Sequence, residues 1–326
     1  MLSCCGILHA QTGQAVRWGL AQGGTLPAGN YRAVAAGGVF TIGIREDGTL
    51  VAAGSNSQGQ LQVPSGQFVA VAGGSAFGVA IRTDGTLAAW GESLSGQLDV
   101  PEGTFSSISC GKYHALAIRT DGTAVGWGWN AWGMSTPPPG QFVQVSAGEE
   151  HSMGLRPDGT VEVWGGPWGG VTEIPPGTFK RIAAGAWYCL AIRQDGSVTG
   201  WGGNAMGVLD FPGGTFVDIA ASKYWAVGVR PDTSIISWGG TGYSAPSGSF
   251  ASVSVGENHG VALTTCYSNC DQSTTAPVLT ANDFQCFLNA FAANDLRANC
   301  DGSTLAPWLT ANDFQCFLNR FAIGCS

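Results

Sequence analysis

Charge is scarce in this 326-residue chain: 11% of residues are charged, with 14 Lys and Arg against 22 Asp and Glu. A net charge of −8 and a pI near 4.8 lack the basic footprint that phosphate backbones demand, so no nucleic-acid partner is expected. No run of 18 apolar residues occurs, so no helical membrane span is expected either. Through residue 265 there is no Cys/His spacing suited to a metal and no signature of a catalytic nucleophile. Cysteine is sparse until the last 61 residues, which hold six of the ten. What is abundant is glycine, 51 residues of it, as turn-rich β proteins require.

The glycines fall in a repeat. Copies aligned on an aromatic begin at Tyr31, Phe68, Phe105, Phe142, Phe179, Phe216 and Phe250, with five spacings of 37 residues and a last one of 34. An Asp-Gly turn recurs at Asp47, Asp84, Asp121, Asp158 and Asp195 and decays to Asp232-Thr233. Trp-Gly recurs at Trp18, Trp90, Trp127, Trp164, Trp201 and Trp238, with Ala53-Gly54 in its place once. Each copy reads as three short strands, the last two joined by the Asp-Gly hairpin. Three strands in 37 residues point to an all-β propeller; a solenoid is the competing architecture.

The ends choose between them. A lone third strand, Ala15 to Trp18, opens the chain, and lone first and second strands, Phe250 to Thr265, close the repeats. Joined, they complete a seventh blade and remove the open sheet edges. The expected domains are therefore a seven-bladed propeller over 15–265 and a small α-helical, disulfide-rich domain over 266–326. Residues 1–14 read as the tail of a secretory leader, with a possible cleavage point at Ala10-Gln11 and no basic region before it.

The motif Gly111-Lys112-Tyr113-His114, the Ala-Ile-Arg-x-Asp-Gly-Thr hairpin, and Trp-Gly-x-Asn with Gly-Gln-Leu resemble the regulator-of-chromosome-condensation repeat. The short 37-residue form, closed by Val63-Pro64-Ser65-Gly66, is similar to the secreted propeller-type β-lactamase inhibitory proteins. This resemblance implies the fold; it says little about function.

Antiparallel strands place the loop after the first strand and the loop after the third on one face. The first loop carries Val39, Ala76, Tyr113, Glu150, Trp187, Tyr224 and Asn258 at its centre; the second carries Trp129, Trp132, Trp168, Met206 and Tyr243. The regular tryptophans, Trp90 among them, read as core. The irregular aromatics Tyr113, Trp129, Trp132, Trp168, Trp187, Tyr224 and Tyr243, with Glu150, read as a ligand-binding face. Packing among themselves is the alternative. His114, His151 and His259 share a position filled elsewhere by Phe40, Phe77, Tyr188 and Trp225, which marks packing. Glu149 and Glu150 beside His151 are the one candidate acid–base group. Arg45, Arg82, Arg119, Arg156, Arg193 and Arg230 stand two residues before each turn Asp and read as partners of that turn. Cys110 and Cys189 read as unpaired buried thiols.

From Cys266 the composition changes, and a second repeat appears with an offset of 30: NCDQSTTAPVLTANDFQCFLNAF at 269 and NCDGSTLAPWLTANDFQCFLNRF at 299. Asn269, Asp271, Ser273 and Asp283 have the oxygen spacing of a calcium loop, and Asn299, Asp301, Ser303 and Asp313 repeat it. Phe284, Phe287, Leu288 and Phe291 form a helical stripe after the first loop. Cys266 and Cys325 have no counterpart 30 residues away and are expected to pair with each other. Cys270, Cys286, Cys300 and Cys316 pair within or across the two copies. This segment resembles a dockerin of the kind ending in Gly-Cys, although its loop is three residues longer than usual. The resemblance implies calcium as cofactor, a cohesin-like partner, and a docking surface at Ala281, Asn282, Asn289, Ala311, Asn312 and Arg320. A metal-free disulfide knot is the alternative.

The combined expectation is a secreted, extracellular or surface-anchored monomer without catalytic activity, which binds a protein through its propeller and docks through its C-terminal domain. A polysaccharide ligand and a glycan-degrading activity are the competing readings.

Overall fold

The structure is a computed structural model that describes residues 13–240 and 243–264, together with Leu288. The expected calcium loops (Asn269 to Asp283 and Asn299 to Asp313), the six cysteines from Cys266 to Cys325, the docking positions from Ala281 to Arg320 and most of the expected leader lie outside the described residues.

Seven inner strands begin the seven copies: Asn30–Ala36, Phe68–Gly73, Phe105–Cys110, Gln144–Ala147, Phe179–Ala184, Asp218–Ala221 and Phe250–Val255. Each pairs with a middle strand, and each middle strand pairs with an outer one, always antiparallel. The result is seven three-stranded blades, two of them fused into one six-stranded sheet. Every inner strand packs on the inner strand of the next copy, and the seventh packs back on the first, so the inner strands close a ring around one axis. That closed ring is a propeller.

The seventh blade takes its outer strand from the start of the described chain. Gly13–Gly19 pairs with the middle strand His259–Thr264 in the register Ala15 to Leu263 through Gly19 to His259. Its first residues, Gly13 and Gln14, also pair with Tyr31 and Asn30 of blade one. One strand thus ties the last blade and clasps the first.

Each Asp-Gly turn is held by its own acid. The Asp84 carboxylate accepts the Thr86 backbone N–H at 2.9 Å and its hydroxyl at 2.7 Å, and the other five turns repeat this with Thr or Ser. These two bonds, side chain before backbone, hold the turn carboxylates below the usual range. In blade six Thr233 takes the glycine position at φ 68°, a left-handed conformation that costs a β-branched residue about 1–2 kcal/mol. The turn carbonyl then accepts the first N–H of the next copy, as Gly85 does from Phe105 at 2.9 Å.

The arginines support these turns through their charge, which lowers each turn carboxylate a little further, and through their main chain, which closes the turn. Arg82, Arg119, Arg156, Arg193 and Arg230 reach main-chain carbonyls of the Pro-x-Gly stretch, such as Arg119 to Glu102 at 2.8 Å. Their guanidinium groups also lie over the opening ring of their own copy, from Phe68 to Phe216. The turn acid is satisfied locally by the residue two positions on, so the arginine is free to fasten the chain entering the blade.

Blade packing repeats as strictly. The indole N–H of Trp90, Trp127, Trp164, Trp201 and Trp238 donates to the carbonyl 30 residues earlier, at 2.6–2.9 Å. The opening aromatics Tyr31, Phe68, Phe105, Phe142, Phe179, Phe216 and Phe250 are all buried, each contributing about 1.5–3 kcal/mol of burial. Among the described residues no helix is long and apolar enough to cross a membrane.

Removing residues 1–19 is expected to strip the middle strand His259–Thr264 of its partner and abolish the single cooperative melt, with aggregation on size-exclusion chromatography. A monomer with an unchanged melting curve would contradict closure through this strand.

Candidate binding face

The two loop sets meet on one face through the same bond in all seven blades. The residue two beyond the outer-strand Trp position donates its N–H to the centre of the first loop: Trp129 to Tyr113 at 2.9 Å, Gly166 to Glu150 at 2.8 Å, Leu20 to Asn258 at 2.8 Å, and so around the ring. Only the first half of each outer connection belongs to this face. Its Pro-x-Gly end crosses to the opposite face, where it meets the Asp-Gly turns and the arginines.

Six of the expected face residues come together in three contacts spanning blades three to six. Tyr113 and Trp129 have ring centroids 6.3 Å apart, Trp132 and Trp168 5.4 Å, and Trp187 and Tyr224 6.4 Å. Trp129, Trp132 and Trp168 are 44%, 52% and 46% exposed, which is a large apolar surface to leave in water. Tyr113, Glu150, Trp187 and Tyr224 are half-buried beside them. Tyr243 does not join this arc. Its ring meets the buried Trp225 edge-on at 5.7 Å and packs in the core between blades six and seven. Three residues extend the face beyond the aromatics that marked it: Leu94, Met206 and Leu20 are all exposed. Register was the available signal, because Leu94 follows Trp90 by four as Trp168 follows Trp164, and Leu20 follows Trp18 by two as Trp129 follows Trp127.

His151 is not an acid–base partner of Glu150. It is buried, and its Nε2 lies 3.3 Å from the Cys189 thiol in the next blade. His114 Nε2 meets Ser152 Oγ at 2.8 Å, and His259 Nε2 meets Thr41 Oγ1 at 3.0 Å. The Ser152 hydroxyl donates onward to the Met134 carbonyl, and Thr41 to that of Gly23, so each His Nε2 carries the proton and donates it to oxygen. A rule follows within the chain. Where the first middle-strand residue is His, the second middle-strand residue of the next blade is Ser, Cys or Thr. Where the first is Phe, Tyr or Trp, that second residue is Gly78, Ala115, Ala226 or Gly260. Burial drives the His114 pKa to about 3, with His151 adding to the shift, and drives His151 to about 4. Burial and then Arg17 lower His259 to about 4. Burial pushes both free thiols, Cys110 and Cys189, upward. Among the described residues no group of three His, Cys, Asp or Glu is placed to hold a metal ion.

With this geometry in hand, the class is a seven-bladed propeller, and three of its copies are similar to a known repeat. The profile of the Regulator of chromosome condensation (RCC1) repeat matches residues 31–60, 105–131 and 179–208. Among solved structures, Prp20p of Saccharomyces cerevisiae, studied with its binding to Gsp1p and histones, is 15% identical over 89% of this chain and 97% of its own, with a TM-score of 0.68. Human WBSCR16 is 15% identical over 78% and 99%, at 0.65. The ectodomain of the Arabidopsis thaliana receptor kinase ACR4 is 25% identical over 69% and 89%, at 0.59. No curated protein sequence matches the chain.

The depressed histidines set the acid response. Below pH 6.5 the unfolded chain takes up protons that the folded one refuses until about pH 3–4, so stability falls as pH falls through that window. Each histidine contributes at most about 1.4 kcal/mol per pH unit. The urea midpoint is expected to drop between pH 6.5 and 4, and to drop less in His114→Phe with Ser152→Ala, which copies the Phe77–Ala115 pair. An equal drop in both proteins would show that these histidines are not the cause.

Proposed function

We propose that the propeller is a protein-binding module whose loop face, centred on blades three to six, receives its partner. Propellers of this repeat are generally binding or regulatory proteins, exchange factors among them. The observation that carries the reading is the arc of Tyr113, Trp129, Trp132, Trp168, Trp187 and Tyr224, three of its tryptophans half in water. Large aromatics of this kind anchor protein interfaces. The rings meet at 50°, 89° and 56°, so they present no coplanar platform for a stacked sugar chain. This favours a protein over a polysaccharide ligand. The resemblance to β-lactamase inhibitory propellers supports the same choice.

The rest of the proposal is carried by the sequence of 266–326. The chain is a secreted, non-catalytic protein that docks to a cohesin-like module, with calcium held by Asp271 and Asp283 in one loop and by Asp301 and Asp313 in the other. Two formal carboxylates per loop imply moderate affinity.

In pull-downs from extracellular fractions, Trp132→Ala and Trp187→Ala are each expected to weaken the captured protein's binding by about 1–3 kcal/mol with little loss of fold. Strong destabilisation of both variants would show the arc to be packing, and retention on a glycan array instead would favour the sugar reading. Calorimetry should show calcium binding that Asp283→Ala with Asp313→Ala abolishes, along with cohesin capture. Full cohesin capture by that double variant in chelator would mean that disulfides, not calcium, organise the domain.

A further inference from the structure

At the centre of the same face the seven inner–middle loops surround the axis and enclose a mouth of about 100 Å³. Pockets for drug-sized ligands begin at about 300 Å³, so only a small molecule fits here. The residue after the loop glycine supplies its charged lining: Lys112, Glu149, Lys223 and Glu257, from blades three, four, six and seven.

One half of this rim is closed on itself. The N–H of Ser75 donates to Lys112 at 3.4 Å, that of Lys112 to Gly148 at 3.2 Å, and that of Glu149 to Gly185 at 3.3 Å. Lys112 and Glu149 form an ion pair across the blade junction. The other half is open, for a reason visible in the side chains. Where blade three has His114, blade five has Tyr188, whose hydroxyl donates to the Ser222 carbonyl at 2.9 Å. Blade six has Trp225, whose indole N–H donates to the Gly256 carbonyl at 3.2 Å, as the Ser222 hydroxyl also does. Both carbonyls that the rim amides of Ala186 and Lys223 would use are therefore taken, and those two N–H groups make no hydrogen bond among the described residues.

The charges repeat the asymmetry. Lys223 and Glu257 occupy the same two ring positions as Lys112 and Glu149, in the same order, yet they are not paired. The Lys223 ammonium rests 5.1 Å over the Tyr224 ring. The Glu257 carboxylate reaches past blade one to accept from the Ser75 hydroxyl at a long 3.4 Å. Adjacent blades thus offer an ammonium with two released amides, and a carboxylate whose one hydrogen bond is long and whose attraction to Lys112 is shared with the Lys112–Glu149 ion pair.

We propose that this mouth binds a small zwitterion, an α-amino acid. Its carboxylate is taken by Lys223 Nζ and the Ala186 and Lys223 amides, and its ammonium by Glu257. A simple anion would face Glu257 unneutralised, and a simple cation would face Lys223; the zwitterion meets both charges, and its charge-assisted bonds exceed neutral ones in strength.

Calorimetry on the full chain with L-alanine, propionate and ethylamine tests this. L-alanine is expected to bind saturably and about tenfold or more tighter than either single-charge probe, as loss of one charge-assisted bond implies. Lys223→Met and Glu257→Gln are each expected to weaken L-alanine about tenfold with an unchanged urea midpoint. Absence of saturable L-alanine binding, equal affinity for the three probes, or indifference to both substitutions would overturn the proposal. None of these outcomes bears on the aromatic arc, which is read by protein capture.

Discussion

The bond on which this propeller depends is the one a blade cannot make for itself. Each outer-strand tryptophan from Trp90 to Trp238 sends its indole N–H to a carbonyl in the connection before its own blade, 30 residues earlier. A single blade of a repeat array cannot bury its hydrophobic face alone. Its tryptophan needs the neighbour's carbonyl, its opening Phe needs the neighbour's turn, and its connection needs the next arginine. Blade stability is therefore a property of junctions, and the strand Gly13–Gly19 matters because it completes the last of them. There the pattern thins: Trp18 Nε1 has no partner among the described residues, and its ring instead meets Trp225 edge-on at 6.2 Å.

Near the axis some junctions leave no room for a side chain, although blade six carries Ser222 at the corresponding position. A Cβ on Gly111 would lie 2.2 Å from the Gly148 carbonyl, and one on Gly148 would lie 2.5 Å from that of Gly185. At those two junctions glycine is thus a condition of neighbouring blades meeting at the mouth. Because the frame is so constrained, variation is pushed to the residues just beyond it, and those are the ones available for recognition. The aromatic arc and the charged mouth are both built at such positions, one step apart in each loop.

The fold was legible because a 37-residue period with Asp-Gly and Trp-Gly in register has few solutions. The face was legible in part. Antiparallel pairing alone puts Tyr113 and Trp129 on one side, but their contact depends on a backbone bond between two loops. Tyr243 misled because an aromatic just past Trp238 looks like Trp132 past Trp127, whereas the shortened sixth connection draws it against Trp225. Leu94 and Leu20 were missed because aliphatic residues do not announce a surface as tryptophan does. The arginines were read as partners of the turn Asp, and their charge does favour that carboxylate, but their side-chain hydrogen bonds go to the Pro-x-Gly carbonyls because the acid is already satisfied two residues on. The pairing of His with Ser, Cys or Thr was present in the sequence throughout and is visible only once neighbouring blades are known to touch there.

The central claim is that seven blades form one ring whose stability resides in its junctions. Native-state hydrogen exchange on the intact protein tests it most directly. The account predicts that amides in all seven inner strands, from Asn30–Ala36 to Phe250–Val255, exchange through one common global opening. A graded series, in which end blades exchange far faster than central ones, would contradict the closed ring and describe an open array instead.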